Sequence, residues 1–142
     1  MSDELRAIID ANHYMTLATA GADGRPWATP VWFATEDYRQ FYWVSKPNAR
    51  HSKNLAERPD LGIVIFDSTV PEGSAKAVYL AAVAEEVAVT GLDVFNRRGE
   101  ARGLRPWTAD DVLPPARHRL YRATAAEHFV LTASDERLPV SP

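Results

Sequence analysis

Apolar residues recur along the chain in two rhythms. Behind Asp3 and Glu4, the residues Leu5, Ile8 and Ile9 fall three and four positions apart. That is the spacing of one helical face, and the two acids suit the positive end of a helix dipole. A short helix is predicted over residues 1–12, ending near Asn12. From His13 the rhythm changes. "HYMTLATA" reads as a strand, "GADGRP" as a turn, and "WATPVWFAT" as the returning strand. Pro30 has no N–H to donate, so this strand is expected to lie at an edge or to carry a bulge. "EDYR" makes the next turn and "QFYWVS" a third strand, so residues 13–45 read as an antiparallel meander.

A short polar helix follows within "NARHSKNLAERPDL". "LGIVIFD" is short, apolar and β-branched, and reads as a strand. "AKAVYLAAVAEEVAV" is rich in alanine but alternates at Val78, Leu80, Ala82 and Ala84, so it also reads as a strand, with "STVPEGS" as the joint. "LDVFNRRGEAR" is predicted to be helical, with Leu92, Phe95 and Ala101 on one face. "TADDVL" starts another short helix, with Thr108 as N-cap and Asp110 and Asp111 in its first turn. Pro114 and Pro115 stop it. "RHRLYRATA" and "EHFVLTA" are expected to close the chain as a hairpin, and residues 134–142 to form a mobile tail.

The order predicts one domain over residues 1–142, mainly β with short helices (α+β). Six or seven mostly antiparallel strands in 142 residues suggest a closed or nearly closed barrel, which also removes exposed strand edges. Charge narrows the partners. The formal net charge is −3, which argues against nucleic acid or an anionic membrane as the main partner. There is no cysteine, so thiol nucleophiles, zinc–thiolate sites and disulfides are excluded. With neither a secretory pattern nor a membrane-length apolar run, the expected location is cytoplasmic. The histidines show no metal-ligand spacing, and no metal is expected.

The candidate chemistry lies at Arg50, His51, Ser52 and Lys53, just after an aromatic strand and at the start of a short helix. A helix start presents free N–H groups and favours an anion. Arg50 offers a two-pronged donor, Lys53 a point charge, Ser52 a hydroxyl and His51 a further donor. One phosphate monoester would satisfy the set. Such a cluster is more often a solvated helix face. The aromatic strand beside it points instead to a cofactor with a flat ring and a phosphate tail. A second basic run holds Arg97, Arg98, Arg102 and Arg105, candidates for an anionic substrate or for a cofactor phosphate from the other chain, though a solvated face paired with Glu100 is the expected role. Of the four tryptophans, Trp32 and Trp43 are expected near a ring, and Trp27 and Trp107 in packing roles.

Three segments in order, "MTLATAGADGRPWATPVWF", "QFYWVSKPNARHSKNLAERPDLGIVIFD" and "AVYLAAVAEEV", resemble the pyridoxamine 5′-phosphate oxidase-like family of FMN-binding split β-barrels. The resemblance covers roughly residues 10–90. It implies that Arg50, His51, Ser52 and Lys53 hold the FMN phosphate, with His51 standing where relatives often carry lysine. It implies that Thr29, Pro30, Val31 and Trp32 run along the isoalloxazine edge, and that Trp43, Val44 and Ser45 border the ring or ribityl chain. It further implies a homodimer with flavin sites across the interface.

The resulting expectation is an FMN-dependent oxidoreductase acting on an unidentified small molecule. The chain is shorter than the enzyme that names the family, and its "DERLPVSP" end matches that enzyme's Arg-Leu-containing end only superficially. The alternatives within the same fold are a deazaflavin-coenzyme-dependent reductase and a non-catalytic flavin- or haem-binding protein. A barrel acting through its surface, with no cofactor, stands outside them.

Overall fold

The computed structural model describes residues 2–142; Met1 of the expected 1–12 helix lies outside them. Helix α1 (Asp3–Ala11) is capped by Ser2, whose hydroxyl accepts from the Leu5 N–H at 3.2 Å, and it buries Leu5, Ile8 and Ile9. Asn12 ends it, donating from its side chain to the Ile8 carbonyl. Eight strands follow: β1 (Tyr14–Ala20), β2 (Pro26–Trp32), β3 (Ala34–Glu36), β4 (Gln40–Ser45), β5 (Asp60–Phe66), β6 (Ala77–Val87), β7 (Arg119–Leu131) and β8 (Arg137–Val140). Helix α2 (Arg50–Glu57) joins β4 to β5, while α3 (Leu92–Glu100) and α4 (Ala109–Val112) lie between β6 and β7.

All the pairings are antiparallel, and the sheet runs in the order β2-β1-β5-β6-β7-β4-β3, with β8 on β7. β2 and β3 are separated only by Phe33, yet they stand at opposite ends of this path. The sheet therefore has to curl until its ends meet, which gives the barrel. Alternation sends Met15, Leu17, Leu61, Ile63, Phe41 and Trp43 into one core with α1 packed across it. Trp43 is fully buried and stacks on Tyr121, with ring centroids 5.7 Å apart.

The mainly β barrel with short helices is the architecture the sequence predicts, but three elements differ. The meander over residues 13–45 is interrupted. "WATPVWFAT" is two strands rather than one, because Phe33 plugs the core while the chain passes from one end of the sheet to the other. Pro30 does sit on an edge strand, where its missing N–H goes unneeded. The closing hairpin is instead a single thirteen-residue strand, β7. "RATAAEH" has no Gly, Asn or Asp to turn on, and a bulge absorbs the irregularity: Glu127 pairs with Ala81 and Ala125 with Ala82, leaving Ala126 unpaired. The expected mobile tail folds back as β8, through a turn in which Asp135 adopts a φ of 60° and Thr132 donates to the Glu136 carbonyl.

Gly91 begins α3 with a φ of 85°, and the Tyr42 ring occupies the place where a Cβ would stand. Gly91→Ala is expected to cost roughly 2–5 kcal/mol, combining left-handed strain with overpacking. Gly24→Ala, at a φ of 80° with open space around it, is expected to cost only about 1–2 kcal/mol. Urea unfolding of the two variants measures the difference; equal costs would contradict the tight Tyr42 contact.

Candidate functional site

Barrel closure brings the end of β2 beside the end of β4, and α3 with the loop that follows it covers the place where they meet. A cavity of about 520 Å³ lies there. This is within the usual range for small-molecule sites. Pro30, Val31 and Trp32 form one wall, and Val44, Ser45 and His51 another. Phe95 and Gly99 of α3, then Leu104, Arg105 and Trp107 of the following loop, form the cover. Trp32 meets Phe95 edge-to-face at 5.1 Å. That geometry suits the ring quadrupoles. The cover is fixed by Asn96, whose side-chain amide donates to the Trp107 carbonyl at 2.7 Å and accepts from its N–H at 2.8 Å. Thr108 and Asp111 tie the next turn, the carboxylate accepting from both the N–H and the hydroxyl of Thr108.

His51 is the buried titratable group in this wall. Its Nε2 lies 2.8 Å from Ser45 Oγ, and burial holds its pKa below the ordinary histidine value. The imidazole is therefore neutral at neutral pH. Helix α2 carries the rest of the basic cluster. It has Ala49 at the N-cap, no capping side chain and no acid in its first turn. Its first N–H groups thus lack the partners that helix starts normally find. Ser52 Oγ is buried without a hydrogen-bond partner. It faces Tyr121, whose pKa is raised by burial, with Ser52 acting in the opposite direction. Lys53 is exposed, and the Arg50 guanidinium lies 4.3 Å from the centre of the exposed Trp27 ring.

Of the residues nominated from sequence, Pro30, Val31, Trp32, Val44, Ser45 and His51 line one cavity. Thr29, Arg50, Ser52 and Lys53 do not line it; the last three belong to α2. Trp43 faces the core and takes no part in the cavity wall, because alternation along β4 turns it away from Val44. Trp107, assigned to packing, lines the cavity instead. Tyr14, Phe95, Asn96 and Leu104 also line it and were not legible as site residues. Of these only Phe95 carried a signal, as part of the apolar face of α3.

The second basic run divides. Arg105 faces this cavity, whereas Arg97, Arg98 and Arg102 line another on the far side of α3. None of them pairs with Glu100; among the described residues Arg97 has Asp93 as its partner, at 3.8 Å. Asp93 is one turn N-terminal to Arg97, the orientation in which helical ion pairs are favourable. No helix among the described residues is long and apolar enough to cross a membrane.

A family model described as pyridoxamine 5′-phosphate oxidase matches residues 1–125. The fold is similar to that of the heme binding protein from Mycobacterium smegmatis, with a TM-score of 0.77 and 19% identity. That match covers 98% of this chain and 57% of the other, so this chain spans little more than half of that protein. It is also similar to HutZ, the heme storage protein from Vibrio cholerae, with a TM-score of 0.72 and 24% identity over 89% of this chain and 92% of the other. An FAD-binding protein from Mesorhizobium loti matches with a TM-score of 0.68 and 18% identity, over 92% and 94% of the two chains. At these identities the likeness concerns the fold. No curated protein matches the sequence.

The His51 pKa generates a pH prediction. Above about pH 6.5 the imidazole is neutral in both the folded and the unfolded chain. Below it, the unfolded chain takes up a proton that the buried ring resists, so stability falls as pH drops and levels off beneath the native pKa. Thermal unfolding between pH 5 and 8 is expected to show this slope, and His51→Gln to flatten it. An identical slope in the variant would contradict the buried neutral imidazole.

Proposed function

Because the chain belongs to the pyridoxamine 5′-phosphate oxidase family, we propose that its aromatic cavity binds FMN and that the protein is an FMN-dependent oxidoreductase acting on a small molecule. The observation that carries the reading is the meeting of two features at His51. One is a cavity walled by Trp32, Phe95 and Trp107; the other is a helix start with no cap and with the orphaned Ser52 hydroxyl. A flat ring suits the first, and a phosphate suits the second.

Bound FMN would supply hydride or electron transfer. Everything else falls to the chain. The free N–H groups at the start of α2, the Ser52 hydroxyl, Arg50 and Lys53 form the phosphate-binding set. Trp32, Phe95 and Trp107 pack against an apolar ring and exclude water. β2 is an edge strand, so one row of its N–H groups is free to donate toward developing negative charge, Pro30 excepted. His51 and Ser45 share one proton position between Nε2 and Oγ, which keeps the imidazole oriented. A homodimer completing each site, and a cytoplasmic location, belong to the same proposal; a chain without cysteine gains nothing from an oxidising compartment.

One observation favours haem as a second reading: the neutral imidazole of His51 stands in the cavity wall, and neutral histidine is an iron ligand. The two similar proteins named for haem support it by fold alone.

Absorbance after adding FMN and desalting decides between these readings. A flavin band of about one equivalent per chain is expected. Turnover with a reduced nicotinamide then separates an enzyme from a carrier. Arg50→Ala/Lys53→Ala is expected to weaken FMN binding about 100-fold while leaving the fold intact. Unchanged retention in that variant would overturn the phosphate assignment. No flavin band, together with a haem band that His51→Ala abolishes, would move the function to haem binding.

A further inference from the structure

Helix α3 is a wall with two sides. Phe95, Asn96 and Gly99 face the aromatic cavity, while Val94, Arg97, Arg98 and Ala101 face a second cavity of about 580 Å³. The opposite wall of this second space is built by Ala34, Thr35 and the β3–β4 turn, where Asp37 and Tyr38 both hold positive φ.

Three arginines, Arg97, Arg98 and Arg102, line this space against two acids, Asp10 and Asp37. Arg98 is half-buried, its guanidinium 5.3 Å from the centre of the Phe33 ring. It donates from Nη2 to the Asn12 carbonyl at 2.6 Å, and its buried Nε has no partner. Arg102 stands four residues on, with its Nη1 3.0 Å from His13 Nε2. Among the described residues, neither guanidinium has a carboxylate within ion-pair distance. The groups disturb one another. Partial desolvation, then Arg102 and Arg98, hold the His13 pKa below its ordinary value; burial followed by Arg102 does the same to Arg98, with Asp10 acting in the opposite direction. The Asp10 carboxylate also accepts the Tyr38 hydroxyl at 2.8 Å. The negative end of α3 favours nearby cations. Even so, the Arg98 Nε remains without an acceptor.

We propose that this second cavity is an oxyanion site, separate from the cofactor cavity, that takes a phosphate group through Arg98 and Arg102 with Arg97 at its margin. Adjacent guanidiniums match a dianion, and their N–H forks match its oxygens. The volume leaves room for a small molecule carrying the phosphate. The site does not depend on FMN being the cofactor, since it stands on the other side of α3.

The test is titration of the purified full chain at low ionic strength with inorganic phosphate, then with a sugar phosphate, followed by calorimetry and by the His13 imidazole resonances. Saturable binding is expected, with the His13 pKa rising as the anion offsets its neighbours. Exposed Arg102→Gln, chosen because it leaves the core untouched, is expected to weaken binding about tenfold or more. Arg50→Ala/Lys53→Ala is expected to leave it unchanged, which separates this site from α2. A sugar phosphate binding more tightly than inorganic phosphate identifies a phosphate monoester as the ligand, and equal affinity identifies phosphate itself. Absence of saturable binding, binding indifferent to Arg102→Gln, or binding lost in the α2 variant would each overturn the proposal.

Discussion

The structure depends on closure of the sheet at Phe33. β2 and β3 lie at opposite ends of the strand order but are only one residue apart in the chain. Phe33 is fully buried, its N–H donates to the His13 carbonyl at 3.2 Å, and its ring packs against Phe41 and under Arg98. Burying a phenylalanine contributes about 1.5–3 kcal/mol. Here that burial also pins the two ends of the sheet together. The end of β2 consequently comes to lie beside the end of β4, so Trp32 and Ser45 share one cavity.

Helix α2 is held mainly against β1 and β2. Leu55 enters the core, and the buried Asn54 amide donates to Thr19 Oγ1 at 3.0 Å. Arg58 donates to the Ala22 carbonyl at 3.0 Å. Gly21 is small where Asn54 comes close: a Cβ there would stand 3.0 Å from its Oδ1. These contacts fix the helix by its middle and C-terminal end. Its N-terminal end is left without a cap, beside a buried imidazole and an orphaned hydroxyl. Anchoring residues and exposed charge are thus divided along one short helix. The residues that anchor it face the barrel, and those that carry charge face outward.

How much was legible follows from which signals are local. Strand alternation in β1, β5 and β6 is local, and so are the acid-led start of α1 and the Thr108 start of α4; these were readable. The break at Phe33 was not, because an unbroken run of strand formers carries no mark of a change of partner. Nor was the continuity of β7, where a bulge at Ala126 replaces the turn that two apolar runs suggest. Family resemblance named the end of β2, the end of β4 and His51, which line one cavity. Trp43 faces the core and Trp107 the cavity, the reverse of the expected placement. The side that Trp43 faces depends on where β4 pairs, and Trp107 reaches the cavity only because Asn96, eleven residues earlier, grips its backbone. Long-range hydrogen bonds of this kind leave no periodicity in the sequence.

We place ring binding in the cavity between the β2–β4 seam and α3, and amide and indole N–H resonances recorded during an FMN titration test this placement. Saturable shifts are expected at the amides of Val31, Trp32, Ser45 and His51 and at the indoles of Trp32 and Trp107. The Trp43 indole, sealed in the core, should move far less. Shifts confined to Tyr38, Arg98 and Arg102, or no saturable shift at all, would contradict it.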